Sequence, residues 1–134
     1  MKKNAQRKTL QVVTGILAIA PLSAGLIGLS GIYNPLFLER LPENPVLDSN
    51  LRFLNAMSVA VALSFYFIIP VIEKETLAYR IVCCSIFSGG VGRLISFCYL
   101  DAGFFPLFLI LMLEMVCPII IMYWQQRIAS ETTD

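Results

Sequence analysis

Four stretches of this chain are apolar for long enough to cross a lipid bilayer, and this constrains the fold more than any other feature. Thr9 to Leu38 contains no charged residue, and neither does Phe53 to Ile72. Ile81 to Leu100 is broken only by Arg93, and Phe104 to Gln125 only by Glu114. A membrane helix needs about 20 mostly apolar residues. The expected spans are therefore about 9–31, 52–72, 79–99 and 104–125, with an outer loop over about 32–50. Hydrocarbon offers backbone N–H and C=O groups no water, so each crossing segment must satisfy them internally as a helix. The expectation is an all-α integral membrane bundle of four transmembrane helices, up-down-up-down, forming a single domain over 1–134.

Composition closes off other classes. Of 134 residues, 57% are hydrophobic and 14% charged, too apolar for an ordinary water-soluble domain. The net charge of +1 provides no basic surplus for nucleic acid. There is no histidine, which removes the commonest metal ligand and the commonest general base. The cysteines, Cys83, Cys84, Cys98 and Cys117, all lie in apolar runs without a C-x-x-C, and are read as small buried hydrophobes. No metal and no cofactor is expected.

Lys2, Lys3, Arg7 and Lys8 precede the first span as they would in a signal peptide, but the apolar run is longer than a usual h-region. An uncleaved first helix is expected. Lys74 and Arg80 flank the second connection, Arg127 follows the fourth span, and the third connection has no Lys or Arg. The positive-inside bias then places both termini in the cytoplasm. Tyr79, Tyr123 and Trp124 fit an inner aromatic belt. In the outer loop, Asn34 and Pro35 are suited to start a short surface helix, and a Pro-broken loop is the other reading. Asp48 is suited to cap the second span.

The charged residues inside the apolar runs are the candidate site. Folding the last hairpin at about 101–102 sets Arg93 level with Ile110 and Glu114 one turn deeper, within reach of a pair. Asp48 and Arg52 are spaced i, i+4, and Asn55 lies one turn further in. Pro118 deprives the Glu114 carbonyl of its i+4 donor. Ser85, Gly89, Gly92 and Ser96 form a small-residue stripe on the third span, and Ala20, Ala24 and Gly28 form one on the first. Ionisable residues within membrane spans mark binding sites or pathways by default. An Arg93–Glu114 clasp that only fixes helix packing is the bland alternative. The glycines of SGGVGR do not make a phosphate loop, because no Lys-Ser/Thr follows them.

LDSNLRFLNA, GGVGRLIS and the E…P…W of the fourth span resemble a family of small bacterial four-helix membrane proteins known as domain of unknown function 4345. The resemblance covers about residues 10–127. It implies a bacterial inner-membrane protein in which Asp48, Asn50, Arg52, Arg93, Glu114 and Pro118 occupy characteristic positions. It implies no activity, substrate or cofactor. A looser similarity of layout to DoxX-like membrane proteins rests on no motif.

The expected function is that of a small integral membrane protein with an outward-opening polar pocket. Asp48, Asn50, Arg52, Asn55, Arg93 and Glu114 are its candidate binding residues. Such a pocket suits an anionic group or a partner protein, with the lipid bilayer as surroundings and a membrane-protein partner or a homo-oligomer as company. The alternative is a small-solute or proton-coupled transporter acting as an oligomer. No nucleophile–base pair or metal cluster points to an enzyme.

Overall fold

A computed structural model describes residues 2–36, 40–100 and 105–133. The described chain is helical, with α1 over Lys2–Gly28, α2 over Pro45–Ile68, α3 over Thr76–Leu100 and α4 over Phe105–Thr133. Single 3-10 turns occupy Gly31–Tyr33 and Ile69–Val71. Within these helices the stretches Asn4–Gly28, Pro45–Val71, Thr76–Tyr99 and Leu107–Ser130 are each long and apolar enough to cross a membrane. The chain is a multi-pass membrane protein by length and composition. Val12, Ile16, Leu109, Leu113 and Ile120 are exposed. Such a surface is a liability in water and the natural one in lipid.

Several boundaries differ from the sequence reading. α2 starts at Pro45, well before the expected 52. Its N-cap is Asn44, not Asp48: Asn44 Oδ1 accepts the N–H groups of Val46 (2.8 Å) and Leu47 (3.3 Å). Pro45 takes the first helical position, where its missing N–H costs nothing. Asn34 Oδ1 accepts the Leu36 N–H at 2.8 Å, as a helix cap would, but residues 37–39 of the suggested surface helix lie outside the described residues. The hairpin turn at 101–102 lies outside them too. Tyr79 is fully buried and so cannot join an aromatic belt, whereas Tyr123 is exposed. Only Cys83 is a buried cysteine; Cys84 and Cys98 are exposed and Cys117 is intermediate, all four as free thiols.

The helices group into two compact units. One comprises Gly15–Phe67, and the other comprises Met1–Thr14 with Ile68–Asp134. In the first, α1 and α2 run antiparallel and approach closely at glycines. A Cβ on Gly25 would lie 2.7 Å from the Asn55 carbonyl oxygen and from Val59 Cγ2, and one on Gly28 would run into the Asn55 amide. In the second, α3 and α4 run antiparallel, with Gly90 against Glu114 and Met115, and Phe97 against Phe108 at a ring separation of 6.4 Å.

Each helix presents its less exposed residues at alternating steps of three and four. On α1 the line is Arg7, Gln11, Thr14, Ala18, Pro21, Gly25 and Gly28, none of them exposed. On α4 it is Leu107, Leu111, Glu114, Pro118, Ile121, Gln125 and Ile128. α2 continues the pattern through Asp48, Leu51, Asn55, Ser58, Ala62 and Phe65. On α3 it runs Tyr79, Cys83, Ile86, Gly90, Arg93 and Phe97, of which only Arg93 is exposed. A repeat averaging 3.5 residues keeps one seam turned towards neighbouring helices over the full length of a span. The two small-residue stripes read from the sequence are not these seams. Ser85, Gly89, Gly92 and Ser96 are exposed, a Cβ on Gly89 or Gly92 would meet nothing within 4 Å, and Ala20 and Ala24 are exposed as well.

Candidate functional site

Arg93 and Glu114 meet across the α3–α4 seam. Arg93 Nε donates to Glu114 Oε2 at 2.9 Å and Nη2 donates to Oε1 at 3.1 Å, a two-pronged pair. Gly90 makes this geometry possible. It lies one turn before Arg93 on the same seam, and a Cβ there would come within 3.0 Å of Glu114 Cβ. Both residues are inside spans, Arg93 six residues from Tyr99 and Glu114 seven from Leu107. At 1.5 Å per residue that is roughly 10 Å of depth. The pair is not sealed: the side chains are 41% and 24% exposed. Arg93 Nη1, with two N–H groups, takes no part in the pair. Pro118 is buried on the same seam, and α4 continues through it as one helix.

Asp48 and Arg52 form the second pair, in the other unit. Arg52 Nε donates to Asp48 Oδ2 at 2.8 Å. The rest of the guanidinium is directed at the end of α1, with Nη1 donating to the Leu29 carbonyl (2.8 Å) and Nη2 to the Ser30 carbonyl (3.1 Å). Asp48 Oδ1 accepts the Ile32 N–H at 3.0 Å. A helix leaves its last carbonyls without partners, and a cation is the favourable group to place there. Gly31, between these acceptors, has φ +78°, and a Cβ on it would collide with Asp48 Oδ1 and the Arg52 guanidinium. Buried Asn34 completes the cap, its Nδ2 donating to the Ile27 carbonyl at 2.6 Å. Asp48 and Arg52 thus form a clamp on the α1–α2 connection.

Asn55 is half-buried against the α1 glycines, and its Nδ2 donates to the Leu51 carbonyl of its own helix at 2.7 Å. Asn50 is exposed. The six candidate residues therefore resolve into the clamp around Asp48 and Arg52 with Asn55 beside it on α2, the Arg93–Glu114 pair, and an exposed Asn50.

A third polar cluster has no counterpart in the sequence reading. The 3-10 turn between α2 and α3 leaves backbone carbonyls free at a span end, and long side chains reach them. Gln11 Nε2 donates to the Ile69 carbonyl (2.8 Å), Arg7 Nη2 to Pro70 (2.9 Å) and Gln125 Nε2 to Ile72 (2.8 Å). Gln125 Nε2 also donates to Thr76 Oγ1 at 3.0 Å, and its buried Oε1 has no protein partner. Arg7 Nε stands 3.0 Å from Glu73 Oε2, an ion pair whose angle falls outside hydrogen-bond geometry. Thr14 and Tyr79 share a buried hydroxyl–hydroxyl bond of 2.9 Å. Arg7, Gln11 and Thr14 all belong to the α1 seam, and Gln125 belongs to that of α4. Polar residues at 3.5-residue spacing within or beside an apolar run are the signal that finds them. Among the described residues no group of three or more acidic or cysteine side chains is placed to hold a metal ion.

A family model described as Domain of unknown function (DUF4345) matches residues 9–125, and the chain belongs to that family. Neither the comparison with curated proteins nor that with solved structures returns a match.

Proposed function

We propose that this DUF4345 member is a membrane-embedded binding or accessory module whose recognition element is the Arg93–Glu114 pair. Its ligand is an anionic group, carried by a small molecule or by the membrane helix of a partner, a second copy included. The observation that carries the reading is the partial exposure of a two-pronged ion pair well inside two spans. A charge at that depth is costly unless paired, and it marks function by default. Glu114 neutralises Arg93 at rest. The uncommitted Nη1 edge remains available to an incoming anion. Asp48 and Arg52 act as the clamp that fixes the α1–α2 connection.

The setting we propose is a bacterial inner membrane with both termini in the cytoplasm. In support, Arg7 and Lys8, Lys74 and Arg80, and Arg127 gather at one end of the unit that holds the start of α1, the α2–α3 turn and the end of α4. Arg7 there contacts Pro70 and Glu73, and Gln125 contacts Ile72. Positive charge at one end is what cytoplasmic retention requires.

Native mass spectrometry of gently extracted protein tests the binding role. The parent should carry a stoichiometric lipid, small-molecule or protein adduct. The double variant Arg93→Gln/Glu114→Gln, whose amides can still bond to each other, should lose it while remaining folded. An identical adduct on both proteins rules the pair out as the recognition element. Steady solute or proton flux in vesicles made from the parent, abolished in the double variant, would instead establish a carrier that works through the Arg93–Glu114 pair.

A further inference from the structure

We infer that the first two turns of α1 hold a site for the phosphate of an anionic phospholipid, separate from the Arg93–Glu114 pair. Asn4, Arg7, Lys8 and Gln11 line a groove of about 350 Å³. Their spacing of i, i+3, i+4 and i+7 puts them on one face of the helix. The described lining has two cations and two amides, and Glu73 beside Arg7 offsets only one of the two charges, so the set favours an anion rich in acceptor oxygens.

The groups are preset to different degrees. Arg7 is anchored by Nη2 on the Pro70 carbonyl and by Nε beside Glu73, so its Nη1 edge is held in place and left over. Gln11 is fixed by its bond to the Ile69 carbonyl. Exposed Lys8 enters no ion pair or hydrogen bond among the described residues, so its charge there is uncompensated.

The depth identifies the source of the phosphate. The uncharged run of α1 begins at Thr9, immediately after Lys8. Arg7 and Lys8 therefore lie at the level where lipid headgroups meet hydrocarbon, with Gln11 about one turn inside it. Basic residues at that level, just outside a span, attract the phosphates of anionic lipids. A free phosphate has the same chemistry and lacks only the acyl chains.

The test uses the full chain in mixed phosphatidylcholine/phosphatidylglycerol micelles, read by native mass spectrometry for retained phosphatidylglycerol and by thermal unfolding. Lys8→Gln is the diagnostic variant, because Lys8 holds no structural contact. Retention should fall about fivefold, the size of one basic residue's share in binding anionic lipid. Arg40→Gln removes the same charge from the exposed α1–α2 connection and should leave retention unchanged. Equal retention by Lys8→Gln and the parent overturns the site. An equal fall in Arg40→Gln overturns it as well, by reducing the effect to net charge. Millimolar inorganic phosphate should not displace the lipid; full displacement overturns the lipid assignment in favour of free phosphate.

Discussion

Arg52 distributes three N–H groups over Asp48 Oδ2 and the Leu29 and Ser30 carbonyls, so its loss removes a helix cap as well as a surface ion pair. Arg52→Gln should lower the thermal midpoint in detergent clearly, and Asn50→Ala, at an exposed position, should leave it within error. Gly31→Ala should behave like Arg52→Gln, since it adds about 1–2 kcal/mol of backbone strain at positive φ and a collision with the clamp. Equal midpoints for Arg52→Gln and Asn50→Ala would show that water caps α1 as well as Arg52 does. The i, i+4 pairing of Asp48 with Arg52 was legible in the sequence because it is local. The carbonyl acceptors were not, because they lie 22 and 23 residues away across a connection whose path only the fold determines. The meeting of Arg93 with Glu114 was legible for the opposite reason, since a short connection between two long helices leaves little choice of register.

Helix seams test differently. At Gly25 and Gly28 the helices α1 and α2 approach closely, and an added methyl at either has no room. Gly25→Ala should push against the Asn55 backbone and Val59 and destabilise by about 1–3 kcal/mol, the usual range for overpacking. Gly89→Ala and Gly92→Ala on α3 should be neutral or slightly stabilising, because each Cβ enters open space and Ala is the better helix former. Reversible unfolding of the three variants in one detergent is the comparison. If Gly89→Ala is as damaging as Gly25→Ala, that face of α3 is covered by something in the membrane. On α3 the sequence reading picked out the line through Ser85, Gly89, Gly92 and Ser96, whereas the seam runs at the same period through Cys83, Ile86, Gly90 and Arg93. Periodicity cannot choose between parallel lines on one helix. The pairing of Arg93 with Glu114 does, since Gly90 lies one turn from Arg93 on the same face. The turn clamp by Arg7, Gln11 and Gln125 escaped the sequence reading for a related reason. Its acceptors are backbone carbonyls, which every sequence has, and only the unwinding of the chain at Ile69–Val71 exposes them.

At the scale of the whole molecule the four spans determine the simplest observable. An even number of crossings returns a chain to the side on which it started, so the start of α1 and the end of α4 should share one face of the membrane. On the proposed orientation that face is the cytoplasmic one, since the connection between α3 and α4 carries no Lys or Arg while Arg7, Lys8, Lys74, Arg80 and Arg127 lie towards the other end. The α1–α2 connection carries exposed Arg40, with Arg52 taken up by the clamp, against the five Lys/Arg at the other end. After the four native thiols are replaced by Ala, single cysteines at Glu43→Cys and Gln126→Cys, both exposed positions, can be probed with a membrane-impermeant maleimide. Intact cells should label Glu43→Cys, and Gln126→Cys should label only once the membrane is opened. Labelling of Gln126→Cys alone in intact cells would invert the orientation. Labelling of both would break the four-span count, because two sites on one side need an even number of crossings between them and α2, α3 and α4 supply three.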